Sequence, residues 1–276
     1  MDLESEIRNN VLTALSEDIG TGDLSAQLIP FDRQSNAHII TRESAILCGT
    51  KWAEVCFRHL NSAVKIKWLV SEGTQVGKDQ TLCELQGNAR ALLGGERVSL
   101  NFLQTLSATA TVTRRYVDAI RGTNAVIMDT RKTIPGLRVA QKYAVKIGGG
   151  ENQRMGLYDA VLIKENHIAA AGGVKQALLA ARAGTPLTTS IQIEVESLSQ
   201  LSEALDAGAS LVLLDNFDLG GLQKAVILNA KRAQLEASGG VTLENVRAIA
   251  ETGVDRISIG ALTKDIKAID ISMRFT

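Results

Sequence analysis

The chain has 276 residues, 45% of them hydrophobic, enough to bury one large core or two modest ones. Its 30 basic residues balance its 30 acidic ones to a formal net charge of zero, which argues against a bulk nucleic-acid or membrane-surface binder and leaves room for local charged pockets. No apolar run is long enough to span a bilayer, the acidic start Met1-Asp2-Leu3-Glu4-Ser5-Glu6 has no apolar leader core, and Cys48, Cys56 and Cys83 lack metal-ligand spacing, so the expectation is a cytoplasmic protein with reduced thiols.

Ile7, Val11, Leu12 and Leu15 recur at helical spacing and predict an N-terminal helix. Short alternating runs follow at 37–40, 45–48, 64–70 and 81–85, punctuated by Gly73 and Gly77, and read as a small β-rich subdomain. The stretch from Val70 to Leu85 is similar to the hammerhead of biotinyl and lipoyl carriers. Leu85-Gln86-Gly87-Asn88 offers no modifiable lysine at a hairpin tip, so a carrier role is set aside. From Ala89 to about Arg121 runs a long helical pattern marked by Leu92, Leu93, Val98, Leu100, Leu103 and Leu106, containing Glu96 and Arg97, with a break expected near Ser107 to Thr109. After Gly122 the texture becomes rhythmic. Apolar strands are predicted at 126–128, 160–163, 191–193, 211–214, 233–235 and 256–259, with helices at 137–147, 174–183, 198–207, 219–228 and 243–251. Such alternation means a parallel sheet covered by helices, joined by right-handed crossovers. A barrel is favoured over an open sheet, because functional-looking residues follow nearly every strand rather than gathering at one switch point. Six strands are visible, which does not establish an eight-stranded barrel.

Residues with chemistry sit at those strand ends. The stretch Asp129-Thr130-Arg131-Lys132-Thr133-Ile134-Pro135-Gly136-Leu137-Arg138 places two cations at a strand-to-helix corner, where they are suited to meet an anion. Then come Lys164, Asn166 and His167; Glu194 and Glu196; Asp215 and Asn216; Ser238, Gly239 and Gly240; and Gly260 and Ala261. Each has a plainer alternative: Lys164 as a solvated loop residue, His167 as structural, Asp215-Asn216 as a helix N-cap. Glu194 is preferred to Glu196 because it is still tied to the apolar Ile191–Ile193 run. Charges at so many successive strand ends are costly to explain by chance. Ser238-Gly239-Gly240 before Thr242-Leu243-Glu244-Asn245, expected to open a helix, is a phosphate-site candidate; Gly260, in Ser258-Ile259-Gly260-Ala261, supplies a second glycine corner on the next strand. Gly20-Thr21-Gly22-Asp23 is not a dinucleotide fingerprint and Gly73 to Lys78 is one residue short of a P-loop; no zinc spacing and no Gly-x-Ser-x-Gly elbow occur.

Taken together, Asp129-Thr130-Arg131-Lys132-Thr133 with Pro135-Gly136-Leu137-Arg138, Lys142-Tyr143-Ala144-Val145, Gly148-Gly149-Gly150, Leu162-Ile163-Lys164-Glu165-Asn166-His167 and Leu213-Leu214-Asp215-Asn216-Phe217 resemble the quinolinate phosphoribosyltransferase family. Glu17 to Asp23 and Glu96-Arg97 fit too, so the likeness covers nearly the whole chain in order. It implies an α/β fold of the type II phosphoribosyltransferases: an N-terminal α/β sandwich domain over 1–103 and an incomplete α/β barrel over 104–276, with room for the last few residues to return to the first domain. The implied reaction joins quinolinate to phosphoribosyl pyrophosphate with Mg2+ and gives nicotinate mononucleotide, pyrophosphate and carbon dioxide, a step of NAD biosynthesis.

The resemblance implies roles by position. Thr130, Arg131, Lys132, Arg154 and Lys164 would bind quinolinate, joined by Arg97 from a neighbouring subunit in a homodimer with shared sites. Glu194, Asp215, Ser238, Gly239, Gly240, Ile259, Gly260 and Ala261 would bind phosphoribosyl pyrophosphate, with Lys132, Glu194 and Asp215 closest to the chemistry and Glu194 and Asp215 able to meet Mg2+. Gln153 stands where some members carry His, which puts a proton-transfer role there in doubt. A related pyrophosphorylase-like protein found beside molybdate transporters, a nicotinate-specific transferase and an inactive sensor are the alternatives. One carboxylate would need fewer cations than this rim offers, and intact Arg131, Lys164, Glu194 and Asp215 argue against a sensor.

Overall fold

The computed structural model describes residues 2–276. In chain order the first elements are α1 (Leu3–Ile19), β1 (Gln34–Thr41), β2 (Ala45–Ile46), α2 (Thr50–Leu60), β3 (Lys65–Trp68), β4 (Gln75–Val76), β5 (Thr81–Asn88) and α3 (Ala89–Ala119). The chain continues through β6 (Val126–Met128), α4 (Arg138–Gly148), β7 (Ala160–Ile163), α5 (Glu165–Ala171), α6 (Val174–Gly184), β8 (Ser190–Val195), α7 (Leu198–Asp206) and β9 (Leu211–Asp215). It ends with α8 (Leu219–Asn229), β10 (Gln234–Ser238), α9 (Val246–Glu251), β11 (Arg256–Ser258), α10 (Ala261–Lys264) and β12 (Ile271–Phe275). These form two units: one takes the chain up to Arg114 with Thr133–Gly149 and Leu262–Thr276, the other Arg115–Lys132 and Gly150–Ala261.

The first unit is built on an antiparallel sheet of order β12-β1-β5-β3, with the C-terminal strand added at an edge (Ile39 opposite Met273). Alternation along β1 and β5 turns Ala37, Ile39, Cys83 and Leu85 to one face, where they join Phe57, Leu92 and Leu103 in an apolar core. A second cluster unites the helices: Val11 of α1, Trp52 of α2, Leu106 of α3 and Ala144 of α4. The break expected at Ser107–Thr109 is absent, and α3 runs through it. Ser107 Oγ accepts the Cys48 N–H at 2.9 Å and donates to the Cys48 carbonyl at 3.1 Å, while Thr111 Oγ1 accepts the Ile46 N–H at 2.8 Å. These hydroxyls serve as hydrogen-bond partners for the short β2 segment, which is why polar residues sit mid-helix without ending it. Cys48, Cys56 and Cys83 are free buried thiols; burial pushes Cys56 and Cys83 up to about 12.

The second unit carries a six-stranded sheet of order β6-β11-β10-β9-β8-β7, every pairing parallel. All six predicted strands are present. The strand expected at 233–235 extends to Ser238, which brings Glu236 inside the sheet. The sheet curls: Glu151 bridges to Met128 at the β6 edge, yet Gln153, two residues on, reaches Gln192 of β8 and Glu236 of β10 with its side chain. Two local differences from the sequence reading bear on the site. Glu165–Ala171 is a helix, held at its start by the Lys164 N–H donating to His167 Nδ1 at 3.0 Å. The helix expected from Thr242 begins instead at Val246, because Asn245 folds a turn first: its Oδ1 accepts the Thr242 N–H at 2.8 Å and its Nδ2 donates to the Gly240 carbonyl at 2.9 Å. No helix among the described residues is long and apolar enough to cross a membrane.

Candidate active site

Parallel pairing puts the C-terminal ends of all six strands on one rim, and the sequence-predicted residues of this unit other than Arg154 end or directly follow those strands. At the β6 end, Asp129 is fully buried and its Oδ1 accepts the Gln153 N–H at 2.9 Å. Thr130 Oγ1 accepts the Lys132 N–H at 3.1 Å, which turns the chain directly after β6. Lys132 is exposed and crosses the next strand end: a Cβ built on Gly260, after β11, would lie 2.9 Å from its Cδ and 3.7 Å from its Nζ. Gly260 has an ordinary backbone, so space for the lysine stem, and not a positive φ, is what its missing side chain provides.

Arg154 donates to the Ala160 carbonyl at 3.1 Å, at the start of β7. Its pKa is held below the usual guanidinium range, first by burial and then by repulsion from Arg131, with Asp159 acting in the opposite sense. Two guanidinium groups close enough to repel favour an anion between or beside them. At the β7 and β8 ends, Lys164 Nζ forms an ion pair with Glu194, at 3.2 Å to Oε1 and 3.0 Å to Oε2. Glu194 is 8% exposed and faces inward, while Glu196 is exposed and its N–H is taken by Gln200. Asp215 closes β9 opposite Ser238 of β10. The N-cap of α8 is Asp218, whose Oδ1 accepts the Gly221 N–H at 2.6 Å, so the capping alternative for Asp215-Asn216 does not hold.

Ser238 is followed by Gly239 at φ 100° and Gly240 at φ 58°, two left-handed residues in succession that leave the corner's backbone bare. Gly260 and Ala261, after the buried Ile259, form the adjacent corner. Arg97 belongs to the other unit, where it is exposed on α3 beside Glu96.

The strand extension exposes a feature that the sequence reading missed. Glu236 is 1% exposed within β10. Its oxygens accept from Gln192 Nε2 at 3.0 Å and from Gln153 Nε2, and Ser258 also hydrogen-bonds to it. Burial pushes this carboxyl above the usual carboxylate range, against the lowering effect of those hydrogen bonds and of Arg256. A Glu inside the run Leu235-Glu236-Ala237 was the available signal. The network fixes the segment that carries Arg154.

Residues 21–107 match the family described as quinolinate phosphoribosyl transferase, N-terminal domain, and residues 109–274 match its C-terminal domain. The chain is 42% identical over 260 residues to the probable nicotinate-nucleotide pyrophosphorylase (carboxylating) of Bacillus subtilis (strain 168), covering 94% of this chain and 90% of that protein. It is 41% identical to the nicotinate-nucleotide pyrophosphorylase (carboxylating) of Mycobacterium leprae (strain TN), over 96% of each chain. The solved nicotinate-nucleotide pyrophosphorylase of Francisella tularensis superposes with a TM-score of 0.96 at 44% identity, covering 100% of this chain and 98% of the other. With both domains matched in order over nearly its whole length, the chain belongs to the quinolinate phosphoribosyltransferase family.

Proposed function

We infer that this chain transfers a phosphoribosyl group from phosphoribosyl pyrophosphate to quinolinate, with loss of carbon dioxide, to form nicotinate mononucleotide for NAD biosynthesis. The observation that carries this reading is the Lys164–Glu194 ion pair on the rim that also carries Arg131, with Arg154 close enough to Arg131 for the two cations to repel, in a chain of this family. A pyridine with two adjacent carboxylates satisfies both guanidinium groups at once and can draw Lys164 from Glu194. Thr130 and Lys132 border the same corner. Arg97 completes the pocket from a second copy, which makes the working form a homodimer.

The bare corner Ser238–Gly240, with Ile259 to Ala261 beside it, receives the 5-phosphate of the ribose. The carboxylates of Asp215 and Glu194 suit the ribose ring: they hold its hydroxyls and stabilise the positive charge that grows on the anomeric carbon as its bond to pyrophosphate breaks. The ring nitrogen of quinolinate then bonds to that carbon. The neighbouring carboxylate leaves as carbon dioxide, its bonding electrons passing into the cationic ring, and the ring carbon takes up a proton. Gln153 cannot supply that proton as an acid, since its amide is neutral and donates to Glu236. The protein therefore contributes orientation and fixed charge.

Mg2+ belongs to this reading as an ion carried in with the pyrophosphate. Among the described residues there is no group of three or more His, Cys, Asp or Glu able to hold a metal, whereas Glu194 and Asp215 fit the one or two carboxylates that Mg2+ takes alongside substrate phosphates. When bound, it would neutralise charge on the departing pyrophosphate. A comparison of quinolinate with nicotinate, each supplied with phosphoribosyl pyrophosphate and Mg2+, tests the function. Turnover of quinolinate alone is expected; equal or better turnover of nicotinate would overturn it.

A further inference from the structure

Asn216 takes no part in the chemistry described above, yet its geometry is constrained from three sides. Its backbone lies in the left-handed region at φ 56°, which non-glycine residues seldom occupy and which Asn tolerates best. Its N–H donates to the Ser238 carbonyl at 2.9 Å, and its Nδ2 donates to Asp215 Oδ2 at 2.8 Å. The far side of the same amide presses on Gly239, where an added Cβ would stand 2.8 Å from Asn216 Cγ and 3.1 Å from its Cα.

We propose that Asn216 is a positioning residue that latches the Asp215 carboxylate to the Ser238–Gly240 corner, so that the group facing the ribose and the loop receiving its 5-phosphate hold one fixed geometry. This rests on the transferase reading. The residue type follows from the requirements. Asp would tolerate the backbone but would set a like charge against Asp215 in place of a donor. Gly would relax the backbone but leave Asp215 without its amide and Gly239 without its neighbour. Ala would meet neither the backbone nor the hydrogen-bond requirement. The glycine at 239 is required twice over, by its φ of 100° and by the amide lying against it.

The test uses the full-length enzyme. Asn216→Gly keeps the backbone permissive, so thermal unfolding is expected at the wild-type temperature, while kcat falls on the order of 10- to 100-fold, as for a reacting group displaced by about an ångström. KM for quinolinate should stay unchanged, because that substrate sits on the cations. Asn216→Asp should give a similar loss. Gly239→Ala should cost less activity in the Asn216→Gly background than in the wild type, because the amide it collides with is gone. A folded Asn216→Gly enzyme with wild-type kcat, or independent costs in the two-residue cycle, would overturn the latch. Titration calorimetry with ribose 5-phosphate separates this from the function itself. If wild-type protein fails to turn over quinolinate, the transferase reading falls, while non-additive ribose 5-phosphate affinities across the same cycle would still support the latch and additive ones would refute it.

Discussion

Replacing Gly260 by alanine separates two explanations of why that corner is bare. If the glycine only lets its backbone N–H approach a phosphate, alanine should be nearly harmless, since the backbone there is ordinary. The structure argues otherwise, because the new methyl would stand 2.9 Å from Lys132 Cδ. Carbon atoms settle at about 3.5–4.0 Å, so the lysine stem must move by roughly 1 Å. Lys132 is exposed, so the fold should lose no more than about 0.5 kcal/mol. Displacing a charged group at the reacting centre by that distance costs on the order of 100-fold in rate, or about 2.7 kcal/mol of transition-state stabilisation. Steady-state kinetics beside a thermal melt reads both quantities. A well-folded Gly260→Ala enzyme with wild-type kcat/KM would show that Lys132 does not work from the place where it lies, and a collapsed melt would show that the glycine serves the fold.

Arg131→Ala and Lys164→Ala should each abolish quinolinate turnover while leaving the melt unchanged, and full activity in either would remove that residue from the pocket. Mixing inactive Arg97→Ala and Arg154→Ala proteins should restore activity if two copies share each site; no recovery would count against the shared dimer. Glu236 has a folded-state pKa above its unfolded value, so its charged form opposes folding. Its contribution is most favourable below the unfolded carboxyl pKa of about 4.3 and is lost as pH rises through the folded value. Glu236→Gln should cost about 1–3 kcal/mol at low pH, because the amide nitrogen replacing one oxygen cannot accept from Gln153 or Gln192, whereas a protonated carboxyl oxygen still can. That deficit should shrink as pH rises, and a gap that widens instead would contradict the sign.

Most of the fold and the rim could be read from the chain because the relevant signals are local. Six apolar runs at regular spacing announce six parallel strands, and a cation or carboxylate directly after such a run is placed on the rim by geometry alone. Glu194 could be preferred to Glu196 on alternation, and burial separates them in that order. The features that escaped depend on partners distant in sequence. Ser107 to Thr109 look like a helix break until the backbone of 46–48 is placed against Ser107 and Thr111. Glu236 falls just past the strand predicted at 233–235, and only the extension of β10 to Ser238 brings it into the sheet. Asn245 resembles a helical residue but folds a turn by reaching back to Gly240. Asn216 reads as a cap, and only its contact with Gly239 reveals the strained backbone and the grip on Asp215.

The central claim is that cations from separate strand ends hold a doubly anionic pyridine beside an activated ribose. Incubating the protein with phosphoribosyl pyrophosphate, Mg2+ and quinolinate labelled with carbon-13 in the carboxylate next to the ring nitrogen tests it directly by mass spectrometry. Unlabelled nicotinate mononucleotide and labelled carbon dioxide should appear in equal amounts. Unchanged quinolinate, or a mononucleotide that keeps the label, would contradict the account.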